Sequence, residues 1–173
     1  MSLLDLAKEI KQNYKPETDK INGNDPIPAG EYDGVISDVK YFYSETSGWE
    51  NVNIDVEITT GEQAGRKERV GFSFIEEWNG KPIPDFVLKR NMKTAQKLAY
   101  LGGYEFKETD FVDTNSVALA LKNIIGTQLI LTIKETKNKK DPSNPYRNYE
   151  FDEYPNFGPD NASQIGNDDV PFL

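Results

Sequence analysis

The chain has 173 residues, 36% hydrophobic and 28% charged, with a formal net charge of −9. This length allows one domain with extensions, and nine Tyr, nine Phe and two Trp point to an aromatic-rich core. The absence of cysteine and histidine excludes disulfide staples, thiolate zinc sites and the commonest general base.

Ser2 is placed to cap a short helix, with Leu3, Leu6, Ala7 and Ile10 at the i, i+3, i+4, i+7 spacing of one apolar stripe. Residues 1–12 lack a signal-peptide core, and no apolar run approaches the roughly 20 residues of a membrane helix. Asn13 to Pro28 is polar and broken by Pro16, Gly23, Pro26 and Pro28, so residues 1–28 read as helix plus linker. A first strand is expected from Gly30 to about Tyr43, with the adjacent Val35 and Ile36 marking a bulge or a strongly coiled strand. Val52, Ile54, Val56 and Ile58 alternate with Asn51, Asn53, Asp55 and Glu57 in a second, half-buried strand. After the Gly61–Arg66 turn, Val70, Phe72 and Phe74 alternate with Arg69, Gly71 and Ser73, completing a meander.

Asn79 to Pro84 breaks the pattern. A helix is expected from Asp85, with Leu88, Met92, Ala95 and Ala99 on one face, stopped by Gly102-Gly103. Its Lys89, Lys93 and Lys97 form an exposed ridge. A shorter helix is expected from Ser116 to about Asn123. Leu129, Leu131 and Ile133 define a fourth strand; a polar loop from Asn138 to Tyr146 leads to a fifth, carrying Tyr149 and Phe151. Three strands, a helical insert and two more strands make a mainly β fold with an α insert. Its expected form is a five-stranded OB-fold barrel over residues 29–154. A five-strand sandwich and an SH3-like barrel are rivals, but neither accommodates some forty residues of helix after the third strand.

Residues 155–173 contain no Lys or Arg, and Asp160, Asp168 and Asp169 make them acidic. Their Gly, Pro, Asn and Ser content is that of a disordered tail, ending in the apolar hook Val170-Pro171-Phe172-Leu173. Asp168-Asp169-Val170-Pro171-Phe172 resembles the acidic ending of single-stranded DNA-binding proteins, particularly those of bacteriophages; Leu173 departs from that pattern. A looser likeness covers residues 30–154. The resemblance implies an OB body that coats single-stranded DNA in replication or recombination. It further implies a tail that recruits replication or recombination proteins through Asp168, Asp169, Val170, Pro171 and Phe172, and a place in the cytoplasm of an infected bacterial host. A homo-oligomer is compatible with it; a cofactor, a metal or a membrane partner is not implied.

In an OB-fold, oligonucleotides cross strands two and three between the first-second and fourth-fifth loops, with aromatics stacking on bases and cations following phosphates. Tyr41, Phe42, Tyr43 and Trp49 furnish the first loop, with Tyr41, Tyr43 and Trp49 as the stacking candidates. Lys137, Lys139, Lys140, Tyr146 and Arg147 furnish the second, and Arg66, Lys67 and Arg69 add a third cluster. Phe72 and Phe74 share the apolar parity and read as core. Gly71 is expected to let a base approach the backbone, and acidic Asp55 and Glu57 direct the DNA path toward the Asn51–Asn53 end. Removing the tail's three acids still leaves −6 on the body, which favours a rival reading, an acidic protein-interaction module or DNA mimic that binds a host enzyme. Catalysis is not expected: the sequence has no phosphate-cradling loop and no Cys or His nucleophile system, and its adjacent acids, Glu76-Glu77 and Asp152-Glu153, would point to opposite faces of a strand.

Overall fold

The computed structural model describes residues 2–19, 21 and 26–155. Helix α1 (Leu3–Asn13) begins as its sequence dictates. The Ser2 hydroxyl accepts from the Asp5 amide at 3.1 Å and the Asp5 carboxylate accepts from the Ser2 amide at 3.2 Å, a reciprocal cap. No residue of α1 is buried.

The strands are β1 (Gly30–Tyr43), β2 (Glu50–Ile58) and β3 (Lys67–Phe72), the two-residue pair β4 (Glu77–Trp78) and β5 (Lys81–Pro82), then β6 (Gln128–Thr136) and β7 (Tyr146–Glu153). Between β5 and β6 lie α2 (Asp85–Leu101) and α3 (Thr114–Leu121). The main sheet is antiparallel, in the order β3-β2-β1-β6-β7. Three consecutive strands followed by one that returns beside the first form a Greek key.

Strand β1 holds the sheet together because it has two partners. Its first half pairs with β6 and its second with β2, and Gly34 faces Leu129 on one side and Ile58 on the other. A Cβ at Gly34 would lie 2.6 Å from Val56 Cγ1, so this crossing point needs glycine. The register then steps from Ile36↔Val56 to Asp38↔Asp55. Ser37 is the extra residue of a bulge, one position beyond the Val35-Ile36 pair, and its hydroxyl donates to the Asp55 carbonyl at 3.1 Å.

The backbone does not close the sheet into the expected barrel: β3 and β7 remain its two edges. Side chains span the gap instead. The Glu68 carboxylate accepts from Arg147 Nε at 2.9 Å and from the Tyr149 hydroxyl at 2.6 Å. Arg147 also donates to Glu135 at 2.7 Å and to the Ile27 carbonyl at 2.8 Å. Edges joined through side chains of this size stand farther apart than the roughly 4.8 Å of a ladder, which is why no ladder forms there.

The elements differ from expectation mainly at their ends. Strand β3 stops at Phe72; beyond it the Ser73 carbonyl accepts from the Asn91 amide of α2 at 2.9 Å. Asn79 (φ 52°) and Gly80 (φ 76°) turn β4 into β5, where only a break was expected. Helix α3 starts two residues early because Asp113 caps it, accepting from the Ser116 amide at 2.7 Å. A 3₁₀ turn at Glu108–Phe111 was not foreseen. One core joins the inner face of the sheet, including Val39, Ile54 and Leu131, to Leu98 of α2 and Leu121 of α3. Among the described residues, no helix is long and apolar enough to cross a membrane.

Candidate nucleic-acid interface

The outward face of β1, β2 and β3 is built by pairing register. Because Val52, Ile54, Val56 and Ile58 are buried, the alternate residues of β2 and their cross-strand neighbours face out together. Four rows result: Val35–Glu57–Lys67, Asp38–Asp55–Arg69, Lys40–Asn53–Gly71, and Phe42–Asn51.

The second row is neutralised internally. Arg69 holds Asp55 through two bonds, Nε to Oδ1 at 2.7 Å and Nη2 to Oδ2 at 3.0 Å, and this pairing raises the guanidinium pKa above its ordinary value. Lys40 pairs with Asp38 at 3.1 Å. Of the two acids on the wet face of β2, Asp55 therefore carries its own counter-charge.

The other two rows make a different surface. The Asn51 amide donates to Asn53 Oδ1 at 2.7 Å. Gly71 was expected to leave its backbone open to a base; instead the Asn51 amide occupies the place where a Cβ would stand. Beside this amide pair lies Phe42, 47% exposed. An exposed aromatic face next to a row of amide donors and acceptors is the chemistry that stacks on and hydrogen-bonds a nucleobase.

The predicted aromatics fall into two groups. Tyr41 pairs with Val52, so it takes the core side of the sheet and packs against the core. Its hydroxyl donates to Glu50, and that bond, helped by burial, pushes its pKa up to about 12. Tyr43, 52% exposed, sits at the tip of the same hairpin. Trp49 meets Trp78 of β4 edge to face, centroids 4.9 Å apart and planes at 87°. Parity separates Phe42 from Tyr41, and it is legible once Phe42 is aligned with Asn51. Trp78 carried a signal too: the Asn79-Gly80 pair after it is a type I′ hairpin turn.

The predicted cations divide likewise. Lys137, Lys139 and Lys140 are exposed on the β6–β7 loop and form no ion pair among the described residues. Asn138 shapes that loop, its Oδ1 accepting from the Lys140 and Asp141 amides and its Nδ2 donating to the Asn144 carbonyl at 3.1 Å. Tyr146, exposed, follows it. Arg66 donates to Gln63 at 2.6 Å in the β2–β3 turn, and Lys67 is exposed across from Glu57. Arg147, half-buried, is engaged by Glu68, Glu135 and Ile27; burial opposes its charge, but the bonds to Glu68 and Tyr149 outweigh it and raise its pKa. This clasp brings the root of the β6–β7 loop to the start of β3, so the two predicted basic clusters of the site are neighbours. The tail residues Asp168, Asp169, Val170, Pro171 and Phe172 lie outside the described residues.

Among the described residues, no group of three or more acids is arranged to hold a metal ion. The chain matches no known family model, and no curated protein matches it.

Proposed function

We propose that this chain is a single-stranded DNA-binding protein of the phage type, with little sequence preference. Its sheet is read as a partly open OB-type barrel whose last seam is made by side chains. The observation that carries this reading is the outward face of β1–β2–β3, where register aligns Phe42, Asn51, Asn53 and Lys40. That is the surface an OB-fold uses for oligonucleotides. One end is flanked by the aromatic β1–β2 loop and the other by the lysine-bearing β6–β7 loop. Bases would stack on Phe42, while Lys67, Lys137, Lys139 and Lys140 follow phosphates.

The acidic tail has two roles in this reading. Its Asp168–Phe172 ending recruits replication or recombination proteins. As a tethered polyanion it also competes for the lysine-bearing end of the face until DNA displaces it. The test is a titration with an oligo(dT) of about 30 nucleotides against a duplex control, at two salt concentrations, on the full chain and on a truncation ending at Asn156. Binding that weakens with salt, prefers the single strand and tightens on truncation supports both the binding face and the competing tail. Binding unchanged by truncation refutes the competitor role, and no binding by either form refutes the single-strand reading.

A second reading has its own observation. Arg69 and Arg147 are both matched by acids on a chain of net charge −9, as suits an acidic module that binds a host enzyme. Tight, DNA-independent capture of such an enzyme together with no oligo(dT) binding would favour it.

A further inference from the structure

Two apolar surfaces in this structure lack a partner, and they match. The first is the α1 stripe, where Leu3, Leu4, Leu6 and Ile10 are all exposed, Leu3 at 84%. The second is a groove where α2 meets the start of α3, lined by Phe74, Leu88, Met92, Phe111, Val112 and Val117. A helix with anchors at i, i+3, i+4 and i+7 is the form that fills such a groove.

Charge fixes how it would lie. Asp5 and Glu9, four residues apart, flank the stripe on one side, and Lys8 and Lys11 on the other. The charged residues lining the groove come from different elements: Lys89 from α2, Glu76 from the segment before β4, and Asp113, which also caps α3, from the segment before that helix. The acidic edge of α1 therefore matches Lys89, and its basic edge Glu76 and Asp113.

We infer that α1 of one copy docks in the α2–α3 groove of a second copy, and that the exchange is reciprocal. In the single chain both surfaces are uncovered, which favours a partner copy over docking within the chain. Thirteen residues separate Asn13 from Ile27, a reach of about 45 Å when extended. Reciprocal docking buries two stripes in one association and closes a two-fold pair. A membrane surface suits α1 less well: its two acids and two lysines cancel, giving no attraction to anionic lipid.

The inference does not depend on DNA binding and is tested without DNA. Light scattering on the full chain across a wide concentration range should show a monomer–dimer equilibrium. Leu6→Asp in α1 or Val112→Glu on the groove should each weaken it by on the order of tenfold or more, with the unfolding temperature of the dilute monomer unchanged because both residues are exposed. Glu9→Lys and Lys89→Glu should each weaken it by about two- to fivefold, and the double variant should recover the loss. A monomer at every concentration would overturn the proposal, whether α1 proves docked within its own chain or bound to anionic vesicles. So would a dimer indifferent to all four substitutions.

Discussion

Two parts of the sheet are rich in polar and aromatic residues, yet they do opposite things. At the β3–β7 seam, where Glu68 shares the core side with Val56, the charged groups hold one another: Arg147 with Glu68 and Glu135. At the β1–β2 end of the outward face, Phe42 is exposed and the Asn51–Asn53 pair lies over a glycine. The first part closes the fold and the second offers a surface. A basic residue on a strand is thus a poor guide to binding until its acid partners are known, whereas an aromatic whose strand partner faces water is a better one.

The sharpest way to break the comparison is Arg147→Ala. It leaves Glu68 without its cation in the half-buried seam and should cost about 2–4 kcal/mol in urea unfolding. If the seam is the closure of the fold, Phe42→Ala should cost almost nothing in the same assay. Gly34→Ala, which drives a methyl against Val56, should cost about 1–3 kcal/mol.

The pH dependence addresses the same seam. Burial, reinforced by the bond to Glu68, pushes the Tyr149 pKa up to about 12, from an ordinary value near 10. The neutral phenol is therefore favoured by folding. Its contribution is fully present below pH 10 and is lost as pH rises toward 12, by roughly 1–2 kcal/mol. Unfolding at pH 8 and pH 11 should show that fall, and Tyr149→Phe should reduce it.

The smallest expected effects lie in the loop. Lys139→Ala and Lys140→Ala should leave stability unchanged, and each should lower the salt slope of single-strand binding by about 0.7. A wild-type slope in both variants would remove this loop from the DNA path.

Much of this was legible in the sequence. Strict alternation in Val52–Ile58 placed β2 and its wet face, and Ser2 with the Leu3–Ile10 stripe placed α1. The insert between the third and fourth main strands followed from the Leu88–Ala99 stripe. The seam was not legible, because Glu68 and Arg147 stand 79 residues apart and no local period links them. Tyr41 and Phe42 are adjacent aromatics, so composition could not separate them; only the register across the hairpin does. The space over Gly71 was assigned to a base but is filled by the Asn51 side chain, whose reach across to β3 has no one-dimensional signal.

The central claim is that single-stranded DNA lies on the β1–β2–β3 face with Phe42 as a stacking platform. Its most direct test is oligo(dT) titration of wild type, Phe42→Ala and Tyr41→Phe, followed by Trp49 and Trp78 fluorescence. The account predicts a loss of about five- to 100-fold in affinity for Phe42→Ala, and near wild-type affinity for Tyr41→Phe, whose ring lies on the core side. Equal affinity in wild type and Phe42→Ala, or a loss confined to Tyr41→Phe, would contradict it.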